Sequence, residues 1–241
     1  MVLQKRMTFN KGFKDGLIIG AGYLSVSFSF GIMAVSNGLT WWQAVLISIL
    51  NLTSAGQVAG VEIMAGLGGP IEMMVTQFVI NMRYSLMAIS LSQKTDKSMT
   101  VPARIVNSYV ITDEIFGVAS SQESVGFKYM TGLGIMPVAG WTLGTLLGAV
   151  MGNILPAVVT TSLAIGIYGM FVAIVLPVCR KSKTISIICI MAVLLACVFR
   201  YVPFLYAHIS SGFAIIICAV VSALVGVFIT PASELKEEAD G

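Results

Sequence analysis

This chain is expected to fold as an all-α, polytopic bundle of membrane helices. Of its 241 residues, 57% are apolar and only 10% are charged, where soluble domains carry about 25% charged residues. Mean hydropathy is +0.93. No acidic or basic residue occurs from Gly16 to Val61 or from Tyr129 to Cys179. A soluble globule cannot cover its surface with so few charges, and the same figures exclude a disordered tail, a coiled coil and a nucleic-acid-binding domain. The net charge of +3 matters only for where the Lys and Arg sit relative to the bilayer.

Crossing about 30 Å of hydrocarbon takes about 20 helical residues. The length therefore allows six to eight crossings and no sizeable soluble domain. Apolar segments fall at 16–35, 41–65, 71–92, 103–122, 131–152, 157–178, 185–206 and 212–230. The expected organisation is a cytoplasmic N-terminus over 1–15, one membrane domain over 16–230 and a polar tail over 231–241. Lys5, Arg6, Lys11 and Lys14 precede the first segment. That segment is longer than a typical signal-peptide core, so it reads as an uncleaved first helix.

Basic clusters set the orientation. The N-terminal cluster, Lys94/Lys97/Arg104 and Arg180/Lys181/Lys183 should all face the cytoplasm. If all eight segments crossed, Lys94 would fall outside, so two must return or not cross. Segment 41–65 carries Asn51-Leu-Thr-Ser-Ala-Gly-Gln57 at its middle. Thr40-x-x-Gln43 and Ser54-x-x-Gln57 each match a capping box, the mark of a helix start. The segment is therefore expected to be a broken, re-entrant hairpin of two half-helices. Segment 103–122, with Arg104, Asn107, Asp113 and Glu114, is expected to be one polar, partly buried helix. Six full spans remain, with every basic cluster inside. Irregular backbone at membrane depth requires protein or a water-filled cavity around it.

Arg83 lies about 18 Å along its helix from Ile71, and a charge at such depth costs about 2.5 kcal/mol or more unless paired or wet. Gln77, Asn81, Tyr84 and Ser85 share one face of that helix. This polar stripe either lines a cavity or ties the bundle together. Asp113 and Glu114 point about 100° apart. One is expected to neutralise Arg83 and the other to titrate, unless both are solvated on an interfacial helix. Gly140, Gly144, Gly148 and Gly152 recur every fourth residue, as do Gly12, Gly16 and Gly20. Such ladders let helix backbones meet closely, either within the chain or against a second subunit. Trp41-Trp42 and Arg200-Tyr201 read as interfacial anchors. The four cysteines and single His have no metal-site spacing, so no metal or cofactor is expected. No phosphate loop or catalytic triad is present, so the chain is not expected to be an enzyme.

The motifs Thr53-Ser-Ala-Gly-Gln57, Asn81-Met-Arg-Tyr-Ser-Leu-Met87, Thr112-Asp-Glu-Ile-Phe116, Gly140-Trp-Thr-Leu-Gly-Thr-Leu-Leu-Gly148, Gly152-Asn-Ile-Leu-Pro156, Tyr168-Gly-Met-Phe171 and Arg200-Tyr-Val-Pro203 follow one another in order. Together they resemble the AzlC family, the large subunit of branched-chain amino-acid exporters, from about Gly12 to Ile229. Tyr84 departs from the His that many relatives carry after the Arg. The resemblance implies efflux of leucine, isoleucine, valine and analogues across the plasma membrane, driven by the proton gradient. It also implies a small hydrophobic partner of the AzlD type. The residues suit a zwitterion. The helix start at Ser54, Gly56 and Gln57 offers N–H groups to a carboxylate, unless Gln57 only caps its helix. Gln77, Asn81, Arg83 and Tyr84 complete the candidate substrate site, with Asp113 or Glu114 taking ammonium or a proton. A passive channel and a non-transporting assembly subunit are the competing readings.

Overall fold

A computed structural model describes residues 8–152, 154 and 156–229. The first seven residues, with Lys5 and Arg6, the tail over 231–241, and Asn153 and Leu155 lie outside the described residues. Among those described the secondary structure is helical: α1 (Phe9–Ser36), α2 (Trp41–Leu50), α3 (Ser54–Ala65), α4 (Pro70–Ser92), α5 (Val101–Ser108), α6 (Asp113–Ser120), α7 (Phe127–Met151), α8 (Ala157–Lys181), α9 (Lys183–Tyr201), α10 (Pro203–His208) and α11 (Ser211–Ile229). By length and composition, α1, α7, α9 and α11 are long and apolar enough to cross a membrane. The all-helical architecture stands on this, while the described helices that meet the criterion number four rather than six.

Two interruptions follow from local chemistry. Segment 41–65 breaks at Asn51–Thr53, between α2 and α3. Thr40 N–H donates to Gln43 Oε1 at 2.8 Å at the start of α2. At the start of α3 the cap is Thr53, not Ser54: its Oγ1 accepts from Gly56 N–H at 3.4 Å. Segment 103–122 is not the single helix its composition suggests. It splits into α5 and α6, because Thr112 caps a new helix by accepting from Ile115 N–H at 3.4 Å. Asp113 and Glu114 then occupy the first turn of α6, where the helix dipole favours acids.

The chain divides into two compact units, with boundaries inside α3, α4 and α8. One takes in the described residues up to Val61 together with Asn81–Ile167; the other takes in Glu62–Ile80 and the described residues from Tyr168 onward.

The first unit is built on a seam between α1 and α7. A Cβ added at Gly12 would lie 2.1 Å from Tyr129 O, one at Gly20 2.5 Å from Met136 O, and one at Gly31 2.2 Å from Thr145 O. From the other side, a Cβ at Gly140 would lie 2.2 Å from Gly20 O, one at Gly144 2.3 Å from Leu24 O, and one at Gly148 2.0 Å from Phe28 O. Residue numbers rise together along both helices, so α1 and α7 run parallel. Pro137, inside α7, has no N–H to give the carbonyl four residues back. That carbonyl belongs to Leu133, and it is where Gly16 packs: a Cβ there would lie 2.3 Å away. The ladder of Gly140, Gly144 and Gly148 is therefore filled by α1 of the same chain. It is not an open seam for a second subunit. Gly152, at the end of the ladder, faces the Val35 side chain.

In the second unit, α9 and α11 pack together, and Gly226 faces the Ile188 side chain. Glu72, in the first turn of α4, is buried. Its Oε1 accepts from Ser210 Oγ at 2.5 Å and from Gly212 N–H at 2.9 Å.

Candidate functional site

The break between α2 and α3 leaves helix-end groups to be satisfied, and buried side chains of the first unit do much of this. Gln57 Nε2 donates to Asn51 O and, at 3.5 Å, to Ile47 O. Tyr109 Oη donates to Ile49 O. Carbonyls at the end of α2 are thus held by residues of α3 and by the residue that ends α5. Gln57 Oε1 accepts from Trp141 Nε1–H on α7 at 2.9 Å. Gln57 therefore caps the preceding helix rather than its own. At the fifth position of α3's own cap-to-helix count it is one residue too far along to form the capping box with Thr53.

Trp141 also carries the network to α1. Its ring meets that of Tyr23 edge-on, with centroids 5.2 Å apart. Tyr23 Oη hydrogen-bonds Thr112 Oγ1 at 2.7 Å and donates to the Glu114 carboxylate. Asp113, one residue earlier on α6, faces Arg83. Arg83 Nη1 lies 2.7 Å from Asp113 Oδ2 and donates to Oδ1 at 2.9 Å. Arg83 Nη2 donates to Tyr84 Oη at 3.1 Å, and the guanidinium lies 4.8 Å from the centre of the Tyr84 ring. The side chains of Tyr84 and Thr53 are hydrogen-bonded. Thr53 caps α3, so the start of α3 is linked through Tyr84 to the Arg83–Asp113 pair. Burial pushes the Asp113 carboxyl above its ordinary pKa against the pull of Arg83, and Glu114 adds to the rise.

The structure places the sequence candidates as follows. Ser54 opens α3 and Gly56 lies buried in its first turn. Gln57, Arg83, Tyr84, Asp113 and Glu114 join one network in the first unit. Asn81 is half-buried on α4 in that unit. Gln77 belongs to the second unit, where its amide donates to Met73 Sδ at 3.8 Å. The two acids diverge, one to Arg83 and one to Tyr23. Among the described residues no group of three or more His, Cys, Asp or Glu is gathered as a metal ion would need.

The family profile described as AzlC protein matches residues 19–155, which contain every residue of this network. The chain belongs to the AzlC family. It is 27% identical to an uncharacterized membrane protein of Archaeoglobus fulgidus over 73% of this chain and 78% of that one. It is 24% identical to the inner membrane protein YgaZ of Escherichia coli over 61% of this chain and 62% of that one. A Helicobacter pylori membrane protein is 23% identical over 60% of this chain and 66% of its own length. No solved structure gives a significant match. The chain is thus an AzlC membrane protein.

Tyr23 and Tyr109 belong to this AzlC network without standing out in the sequence, while Thr53, Thr112 and Trp141 lie inside the quoted motifs but carry no role there. Trp141 follows Gly140 of one ladder and Tyr23 lies about one turn after Gly20 of the other, where an aromatic reads as packing. Thr53 and Thr112 each precede a helix start, and that cap position was the available signal.

Proposed function

We propose that this AzlC chain is the large subunit of a two-component secondary transporter that exports leucine, isoleucine, valine and their analogues, driven by the proton gradient. The observation that carries the reading is the broken helix α2–α3, whose second half begins at Thr53 and is linked through Tyr84 to an Arg83–Asp113 pair. A substrate carboxylate has the N–H groups of the first turn of α3 and the Arg83 guanidinium to receive it. The ammonium goes to an acid of α6. Asp113 is held by Arg83, so Glu114, hydrogen-bonded to Tyr23 and free of an ion pair in the described residues, is the acid left for the ammonium. Asn81 remains a candidate lining residue.

In this reading α1, α4, α7, α8, α9 and α11 cross the plasma membrane, α2–α3 is re-entrant, α5–α6 stays on the cytoplasmic side, and both termini are cytoplasmic. The parallel run of α1 and α7 supports it. Two parallel spans need an odd number of crossings between them, and α4 supplies one. The small AzlD-type partner docks on a face other than the glycine ladder. Efflux of labelled leucine from cells carrying this chain and its small partner tests the function. Efflux that stops without either chain and collapses with a protonophore is expected. Efflux unaffected by the protonophore identifies a passive channel, and no difference from empty cells overturns transport of leucine.

A further inference from the structure

The second unit holds a buried acid that the substrate site does not use. Glu72 and Thr76 are one turn apart on α4 and share a face. The Glu72 carboxylate meets the start of α11, with Oε1 accepting from Ser210 Oγ and Gly212 N–H. Beside it lies Thr76 Oγ1, fully buried and without a hydrogen-bond partner. Gly212 holds these groups around one point. A Cβ there would lie 2.5 Å from Glu72 Oε1 and 2.8 Å from Thr76 Oγ1. Any side chain at position 212 would collide with both, so glycine is what lets a carboxylate oxygen and an orphaned hydroxyl approach the start of α11 together.

Ser210 and the Gly212 N–H are neutral donors, and the positive end of α11 carries only a partial charge. Burying a carboxylate on such partners leaves most of its charge uncompensated. The ion pairs among the described residues are Lys11–Asp15 and Arg83–Asp113, so no described cation is paired with Glu72. Arg180, Lys181 and Lys183, where α8 gives way to α9, and Tyr201 at the end of α9 are the further charged or phenolic groups of this unit, and three others have contacts of their own. Glu62 on α3 neighbours Tyr168, Arg200 on α9 stacks on Tyr206, and His208 on α10 is hydrogen-bonded to Phe204 O. A small cation would balance the Glu72 charge and give Thr76 Oγ1 a partner at once. A proton does so because the carboxylic acid donates to the hydroxyl. Na⁺ does so because hard cations take oxygen ligands.

We propose that Glu72, Thr76 and Ser210 form a small-cation site in which a proton or Na⁺ is exchanged on the Glu72 carboxylate. The site goes beyond the amino-acid reading and does not depend on it. A plain helix cap would instead keep Glu72 permanently ionised.

Labelling the wild-type full-length protein in membranes with dicyclohexylcarbodiimide, which reacts with protonated carboxyls in apolar surroundings, tests this. Mass spectrometry reads the fraction modified at Glu72. If the site takes protons, modification is expected to fall with rising pH, approaching about tenfold per pH unit. If it takes Na⁺, modification at fixed pH falls saturably with NaCl and not with N-methylglucamine chloride. Thr76→Val, which keeps the shape and loses the hydroxyl, is expected to move the midpoint to lower pH in the first case and to higher Na⁺ in the second. No modification of Glu72 at any pH, or modification insensitive to both pH and Na⁺, overturns the site. An unchanged midpoint in Thr76→Val overturns the part given to Thr76. Labelling reads occupancy whether or not the chain moves amino acids, so its failure and that of leucine export are separate results.

Discussion

Trp141 donates its indole N–H to Gln57 Oε1 at 2.9 Å, and this settles which way round the Gln57 amide lies. Trp141 offers only a donor, so the oxygen faces it and the NH₂ group faces the carbonyls of Asn51 and Ile47. Gln57→Leu should leave the indole N–H and those carbonyls without this partner, at about 1–3 kcal/mol for each buried group left unsatisfied. The thermal midpoint of purified protein reads this. Adding Trp141→Phe to Gln57→Leu should cost less than the sum of the two single changes, because both break the same bond. Additive losses would mean that the bond contributes nothing to stability.

The Arg83–Asp113 pair makes a prediction of rescue. Arg83→Ala should lower the amount of folded protein by leaving Asp113 without its cation. Asp113→Ala in the same chain should recover much of that loss, while leucine efflux stays absent. Fluorescence-detected size exclusion reads the first effect and labelled efflux the second. If Glu114→Ala rescues Arg83→Ala as well as Asp113→Ala does, the pairing is wrong.

The same acid gives a pH dependence. Burial raises the Asp113 pKa above its ordinary value despite Arg83, so the folded chain holds that proton more tightly than the unfolded chain. The stabilisation is complete at low pH and is lost as the pH rises through the raised pKa. Asp113→Asn cannot titrate. The melting midpoint of the wild type minus that of Asp113→Asn should therefore shrink as the pH rises from the ordinary carboxylate pKa upward. A difference that grows over that range contradicts the assignment.

The glycine seam predicts a sharp contrast between neighbouring substitutions. Gly144→Ala places a methyl group 2.0 Å from Ser27 Oγ and 2.3 Å from Leu24 O, so the helices must separate. Overpacking of this kind costs about 1–3 kcal/mol or more. Gly22, on α1, has nothing within 4 Å of its would-be Cβ. Gly22→Ala should be neutral, or stabilising by up to about 1 kcal/mol through helix propensity. Equal losses in the two variants would exclude close backbone packing at Gly144.

Parallel α1 and α7 predict sidedness. Single cysteines at positions 10 and 128, in a background without Cys179, Cys189, Cys197 and Cys218, should react with a membrane-impermeant maleimide only from the cytoplasmic side, as should one at position 95. Reaction at 10 and 128 from opposite sides would be incompatible with a parallel pair of spans.

Much of this was legible in the residues. The helix break was visible because Asn, Thr, Ser and Gly in an apolar run satisfy a helix poorly and a helix end well. Its register was misread by one residue, since Gln57 could serve either its own helix start or a distant donor, and only the tertiary fold brings up Trp141. Segment 103–122 looked continuous because Tyr109, Val110 and Ile111 do not announce a stop. The cap that restarts the helix, Thr112, lies after them. The glycine ladders were plain in the sequence, but spacing on one helix does not name the helix that fills it. Gln77 and Asn81 share a helical face, which a one-dimensional reading takes as a single stripe, and the fold assigns them to different units.

The seam between α1 and α7 has a mechanical consequence. At its glycines the contacts are made by main chain on main chain, so at those points no change of side-chain rotamer could let one helix slide past the other. Sliding by even a fraction of a turn would drive carbonyls into Cα atoms. The pair should behave as a stiff spar, and any conformational cycle must be taken up by elements held through side-chain ends: α4 by Arg83, α6 by Asp113 and Glu114, and the α2–α3 break by Gln57. Spin labels on Gly22 and Leu143 should keep one separation under every substrate and pH condition, while a label on Ser85 paired with either should show more than one. A change between the first two would mean that the spar flexes.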